Sequence, residues 1–310
     1  MITDLGNEAK EFGRQALRAF EAAGGDDLVH RAEADPTTRE TLVAPILAEL
    51  GAWELEPRSD ADQLEAAAAL CRSAGHWALP YPLAERLSRT SDDDGLIVVA
   101  DTRPSGAVAG VEVNWGAVTL RGDRSHAVAI GAPERAFVTR LALTATEGDG
   151  TADLPVALIL PCWTLLGMLD RAIELTIGHV RMRQQFGQPL SGFQSVQFQL
   201  TDAEVERAGL EMLAKYATWS AAQRRADALD DALALRMAAL DAAEIVFRVT
   251  HQLHGAVGFC DETTLSWLSR YSQPLRRLPL GLSATRAHLT ERLGSSGLSG
   301  LYGANSEAVS

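Results

Sequence analysis

Two short segments concentrate residue types that grip phosphates and flat rings. The first is Arg181-Met182-Arg183-Gln184-Gln185-Phe186-Gly187-Gln188-Pro189. Guanidinium forks match phosphate oxygens in two-point geometry, glutamines both donate and accept, and an aromatic ring can stack on a base. The same run is an ordinary way to end a helix: cations complement the C-terminal dipole, and Gly187 with Pro189 stops it. The second is His251-Gln252-Leu253-His254-Gly255-Ala256-Val257-Gly258-Phe259. Its small residues Gly255, Ala256 and Gly258 let a ligand or another backbone come close. Alone, it reads equally as a tight helix exit with two exposed histidines. His251 and His254 are spaced like one pair of metal ligands, but no third or fourth ligand accompanies them, so no metal site is expected.

The carboxylates are numerous but unpaired in pattern. Asp92-Asp93-Asp94 is a loop charge run, and Asp227, Asp230 and Asp231 stand where they cap and complement a helix start. None has a partner acid or an orienting group, so no catalytic residue is assigned. The chain has no dinucleotide-fold glycine fingerprint, P-loop, zinc-protease or nucleophile-elbow motif. The glycine pattern from Gly297 to Gly303 lies in the tail and reads as linker.

The elements that must position these segments are mainly helical. Residues 1–90 form an expected N-terminal helical domain: Ala9, Phe12, Ala16, Ala19 and Phe20 recur at helical spacing, and Leu42–Leu50 and Gln63–Ala74 read the same way. Gly51 and Pro80-Tyr81-Pro82 punctuate them. Residues 91–152 form a small, truncated antiparallel β-domain, with β-prone runs at Leu96–Val99, Val111–Trp115, Val118–Leu120, Val128–Ile130 and Phe137–Leu143. Residues 153–293 form a C-terminal four-helix bundle. Its helices are expected over Trp163–Gln185, which is apolar on most sides and so buried, Phe193–Ala226, Leu229–His254 and Glu262–Tyr271, with a further helix after Gly281. Residues 294–310, rich in Gly and Ser, form a flexible tail.

Composition bounds the rest. The 310 residues are 46% hydrophobic and 22% charged, a globular balance. A formal charge of −13 repels phosphate polymers at long range, which argues against nucleic acid and requires a local basic pocket for any dinucleotide. Cys71, Cys162 and Cys260 are scattered, fitting reduced thiols in a cytoplasm. No signal peptide or transmembrane helix is read, so no membrane partner is expected.

In order, Arg183-Gln184-Gln185-Phe186-Gly187, Phe193-Gln194-Ser195-Val196-Gln197 and Gln252-Leu253-His254-Gly255-Ala256-Val257-Gly258-Phe259 resemble the C-terminal domain of the acyl-CoA dehydrogenase family. The family pattern is R-x-x-F-G, then F-Q-x-x-Q, a long helix and Q-x-x-G-G-x-G-[FY]. Glu262 and Arg270 fall where the family has a Glu and an Arg. The resemblance implies a helical domain, a β-domain and a helical bundle, with FAD as cofactor. It further implies that Arg183 pairs with the FAD pyrophosphate with Gln185 nearby, that Phe186 packs near the adenosine, that Gln194 hydrogen-bonds the cofactor, and that Gln252, Gly255 and Ala256 line the adenine end. These groups serve the flavin of a neighbouring subunit, in trans.

The departures from the family are as informative. Where it carries its catalytic glutamate, this chain reads Leu278-Pro279-Leu280-Gly281-Leu282, and the alternative site, Leu154–Leu160, also lacks Glu. The β-domain loop that covers the flavin is missing. This division resembles the two-component acyl-CoA dehydrogenases of actinobacteria, several acting on steroid side-chain CoA thioesters. It implies a catalytic partner chain that supplies the glutamate for α,β-dehydrogenation, in an α2β2 assembly. Three rivals are a homo-oligomeric scaffold without flavin, a self-sufficient dehydrogenase or oxidase with its base moved to Glu174 or Glu262, and a helical interaction module with no flavin role.

Overall fold

The structure, a computed structural model, describes residues 4–296. Five helices come first: α1 (Asn7–Ala22), α2 (Asp27–Ala34), α3 (Ala44–Glu49), α4 (Ala61–His76) and the single-turn α5 (Leu83–Leu87). Ala9, Gly13, Ala16 and Phe20 line the buried face of α1 at helical spacing. Asp60 caps α4 by accepting from the Asp62 backbone N–H.

Strands β1 (Gly95–Val99), β2 (Ser105–Ala107), β3 (Trp115–Thr119), β4 (Asp123–Ile130) and β5 (Val138–Asp149) form one five-stranded sheet in the order β1-β3-β4-β5-β2. The sheet is mixed, not purely antiparallel. β1 pairs with β3 in parallel, Gly95 opposite Trp115 and Val99 opposite Thr119, which the short intervening link allows only because the chain crosses to β2 between them. The strand expected over Val111–Trp115 begins at Trp115, since Val111 is used as the acceptor for the Trp115 indole N–H. β2 carried no β-prone signal.

The bundle comprises α6 (Leu154–Met182), α7 (Gln194–Ala222), α8 (Ala228–His254), α9 (Thr264–Arg277) and α10 (Leu282–Ser296). α6 starts well before the expected Trp163, because Pro155 suits its first turn and Pro161 is tolerated inside it. By length and composition the stretch Thr151–Met182 could cross a membrane, but 78% of its most apolar window is buried inside the protein. α6 is therefore a core helix, packed on α4, α7 and α8. One hydrophobic cluster joins residues from the early helices, the sheet and the bundle, with Trp163 fully buried near its centre. Beyond α10, the expected flexible tail lies, from residue 297 on, outside the described residues.

Charged groups lock these layers. Asp170 on α6 pairs with Arg72 of α4 at 2.7 Å and Arg207 of α7 at 3.1 Å, and Glu211 receives Arg72, Arg207 and Lys215. Burial alone would raise the Glu211 carboxyl, but Arg207, Lys215 and Arg72 together hold it well below the carboxylate range. Asp153, at the foot of α6, binds Arg58 at 2.5 Å and also Arg124 of β4.

Candidate functional site

The first motif folds as a hairpin. α6 ends at Met182, short of Gln185, and the Arg183 N–H still donates to the His179 carbonyl at 2.8 Å. Strands β6 (Gln184–Gln185) and β7 (Gln188–Pro189) then pair, Gln184 opposite Pro189 and Gln185 opposite Gln188. Phe186 (φ +52°) and Gly187 (φ +81°) make the turn. Two successive positive-φ residues define the primed turn that matches strand twist. Glycine adopts it freely; at Phe186 the left-handed backbone costs about 1–2 kcal/mol. The Leu190 N–H closes the loop on the Arg183 carbonyl at 2.8 Å. Phe186 is 92% exposed and rests edge-on against Phe193, ring centres 6.3 Å apart. Gln194, the first residue of α7, follows directly and is exposed, while Gln197 secures this corner by donating to the Ser191 carbonyl.

The second motif ends α8. Gly255 (φ +63°, ψ −147°) turns the chain in a conformation that side-chain-bearing residues avoid. A Cβ on buried Gly258 would stand 2.9 Å from the His254 Cβ, so this turn must be made of small residues. Thr263 donates to the Val257 carbonyl at 2.7 Å, and Asp261 pairs with Arg270 at 2.5 Å. Glu262, which falls where the family has a Glu, is exposed and has no ion-pair partner among the described residues.

His179 on α6 stacks on His254 on α8, with ring centres 4.4 Å apart and planes inclined by 22°. This contact brings the two motifs to one end of the bundle. Arg183, Gln185, Phe186, Gln252, Gly255 and Ala256 are all exposed there. His254 Nδ1 lies 2.9 Å from the Thr250 carbonyl, which sets that nitrogen as the donor. Burial lowers the pKa of all three histidines here; His254 lowers His179 and His251 further, and Arg183 adds to the shift at His179. His251 stacks on Phe259 at 4.3 Å, and its buried Nδ1 lies close to the Gly258 backbone without a hydrogen-bond partner. Among the described residues no group of three or more His, Cys, Asp or Glu could hold a metal ion.

Around this end the described residues leave large apolar side chains uncovered: Met182, Phe186, Val257 and Phe259, and along α7 Phe198, Val205 and Met212, spaced by seven.

The two stretches lacking the expected glutamate converge. Ala157 and Leu158 of α6 and Leu278 and Pro279 after α9 line one cavity of about 50 Å³. A carboxylate that the sequence reading missed also lines it: Glu85 of α5. A second cavity of about 40 Å³, reached by Tyr81 and Tyr271, flanks Glu85 on its other side. Glu85 is part-buried beside these cavities, and burial pushes its pKa up to about 7. Arg236 faces the first cavity, 4% exposed, donating to the carbonyls of Leu278 (2.5 Å) and Leu280 (2.8 Å) while its Nε has no partner. The available signal was a lone acid in the apolar run Leu83-Ala84-Glu85-Arg86-Leu87. Glu174 is 60% exposed and is held by Arg171 at 3.1 Å and His76 at 3.6 Å, away from this cavity.

Residues 152–279 match the family model for the acyl-CoA dehydrogenase C-terminal domain. Over that segment the chain is similar to the acyl-CoA dehydrogenase family. Among curated relatives, the chain is 35% identical over 92 residues to acyl-CoA dehydrogenase FadE28 of Mycobacterium tuberculosis, covering 30% of the chain and 27% of FadE28. It is 33% identical over 103 residues to FadE27 of the same organism, covering 30% and 27%. The matched segments thus span about a quarter of those relatives' length. Over nearly the whole acyl-CoA dehydrogenase-like chain the fold matches the Tcur3481-Tcur3483 steroid ACAD (TM-score 0.76, 20% identity, 94% of this chain and 99% of that one). It also matches the ChsE4-ChsE5 complex from Mycobacterium tuberculosis (TM-score 0.75, 15% identity, 96% and 100%).

Proposed function

We propose that this chain is the half of a heteromeric acyl-CoA dehydrogenase that holds the ADP portion of FAD for a partner, while the partner supplies the catalytic glutamate. The observation that carries the reading is the exposed hairpin. Phe186 is fixed at its tip in a strained backbone and stands on Phe193, beside Arg183. A ring that costs free energy to hold outward, and that touches its own chain through Phe193 while staying 92% exposed, is pre-organised for a ligand or another chain. The residues fit a dinucleotide: Arg183 is a free-standing guanidinium for the diphosphate, Gln185, Gln194 and Gln252 offer polar side chains, and Gly255 and Ala256 allow close approach. Bound FAD supplies the redox chemistry; this chain's contribution is to grip and orient it.

The missing base supports the same division. The cavity where both expected base positions meet is about 50 Å³, far below the roughly 300–1,000 Å³ of pockets that enclose drug-sized ligands. Glu85 in that cavity is the one feature favouring a self-sufficient enzyme. Both solved structures named above carry the names of two paired proteins, one pair described as a steroid enzyme, which supports extending the reading to an α2β2 complex acting on a bulky, steroid-type acyl-CoA. The division near residues 90, 152 and 293 belongs to this reading.

Co-expression with an acyl-CoA dehydrogenase-like partner, followed by native mass and flavin counting, tests it. The expected result is a complex of unlike chains with flavin at their interface and no turnover by this chain alone. A flavin-loaded, active homo-oligomer of this chain overturns it and assigns the base to Glu85.

A further inference from the structure

We propose that the stacked pair His179–His254 binds a nucleotide diphosphate together with a proton, so that the pair becomes the second cation of the Arg183 end. This rests on the reading of that end as a dinucleotide cradle and adds to it a proton-coupled grip.

Two helices point their C-termini at this place. α6 ends one turn past His179, and α8 ends at His254. A helix C-terminus presents carbonyl oxygens and a partial negative charge, the wrong sign for a diphosphate. The Arg183 and Gly255 N–H groups are already spent on the carbonyls of His179 and His251. Arg181 and Arg183 are both exposed, but only Arg183 acts on His179; one guanidinium beside the pair therefore meets a ligand of charge about −2 or more, against two adverse dipoles.

The imidazoles can correct that imbalance. A protonated histidine in the last turn of a helix is favoured by the dipole, and the pair lies in the last turn of both. In His254 the Nδ1–H faces the Thr250 carbonyl, which leaves Nε2 as the free, basic nitrogen. Thr176 Oγ1, 3.5 Å from Nδ1, is already donating to the Ala172 carbonyl. The charged group acting on the pair is Arg183 beyond α6, and His254 acts in turn on His251 of α8; among the described residues, no carboxylate acts on any of the three histidines. Without an anion these surroundings keep the rings neutral. A diphosphate is the missing counter-charge: the proton goes from solvent to an imidazole nitrogen, with no other bond made or broken. At 4.4 Å the two rings repel each other once charged, so the pair takes one proton and not two.

The test is calorimetry of the full chain with inorganic pyrophosphate and, separately, ADP and coenzyme A, in two buffers of different ionisation enthalpy at pH 7. Expected is net uptake of about one proton per pyrophosphate or ADP, with affinity rising up to about a hundredfold between pH 8 and pH 6. His179→Gln and His254→Gln should each remove the uptake and flatten that pH dependence, whereas Arg183→Ala should weaken binding at every pH. A response to coenzyme A alone assigns the site to the thioester's nucleotide and overturns the FAD version. Binding without proton uptake, uptake that survives both histidine variants, or no binding of either probe overturns the inference. The trans-flavin reading fails by a different result, namely full flavin retention by the Arg183→Ala complex.

Discussion

Gly75 on α4 and Gly167 on α6 are reciprocal contacts: a Cβ on Gly75 would stand 1.8 Å from the Thr164 carbonyl oxygen, and one on Gly167 would stand 1.9 Å from the Arg72 carbonyl oxygen. The two helices cross backbone to backbone, and that crossing sets the distance at which Arg72 meets Asp170. Gly167→Ala should destabilise the chain by about 3 kcal/mol or more, since a helix backbone cannot yield as a side chain can. Denaturant unfolding at equilibrium measures it; a loss under about 1 kcal/mol would mean that the helices separate easily.

Arg183→Ala in the assembled complex should loosen the cofactor by about 1.5–3 kcal/mol, the worth of a charge-assisted bond, with little change in unfolding. Flavin remaining after extensive dialysis is the measurement. Equal retention by mutant and wild type would remove Arg183 from the cradle.

Phe186→Gly should act in opposite directions on the free chain and the complex. Relief of the left-handed backbone is worth about 1 kcal/mol to the free chain, while loss of the ring should raise flavin release. Thermal unfolding of the free chain beside flavin release from the complex separates the two; a free chain made less stable would show that the ring packs on more than Phe193.

Glu85→Gln should give a pH-dependent gain. The Glu85 pKa is raised by burial from 4.5 to about 7. Stability is therefore intact below pH 4.5, falls as the pH rises towards 7, and the penalty is constant above it. The amide avoids that penalty, so the gain should be on the order of 3 kcal/mol at pH 8 and under about 1 kcal/mol at pH 5. Chemical denaturation at both pH values tests the sign.

Substrate bleaching of the flavin in the complex, under anaerobic conditions, should survive Glu85→Gln, Glu174→Gln and Glu262→Gln. It should be lost with a Glu→Gln change at the partner's base. The reverse pattern would make this chain the catalytic one.

What the sequence revealed, and what it hid, follows from the range of the forces involved. The long helices are set by local periodicity, so α7 and α8 were placed to within a few residues. Pro161 concealed the first turns of α6, because propensity counts a proline as a break even where packing tolerates it. The motif Arg183–Gly187 looked like a helix end; its hairpin depends on Phe186 adopting a positive φ, which no propensity anticipates. The parallel β1–β3 pairing is non-local. So is the contact of His179 with His254, which only the packing of α6 on α8 creates. Glu85 escaped notice because an acid beside an arginine reads as surface, and its cavity forms between segments far apart in sequence, from α5, β1, β2, α6, α8 and the end of α9.

The row Phe198, Val205 and Met212 on α7 has a kinetic consequence. Side chains seven apart lie along a line that drifts slowly around a straight helix, so an element covering all three crosses at a shallow angle of about 20°. The row extends along about 21 Å of axis, and release then requires parting that whole length together. Assemblies built on it exchange members slowly: two labelled populations mixed after folding should keep their original pairings for hours, while chains mixed before folding should scramble.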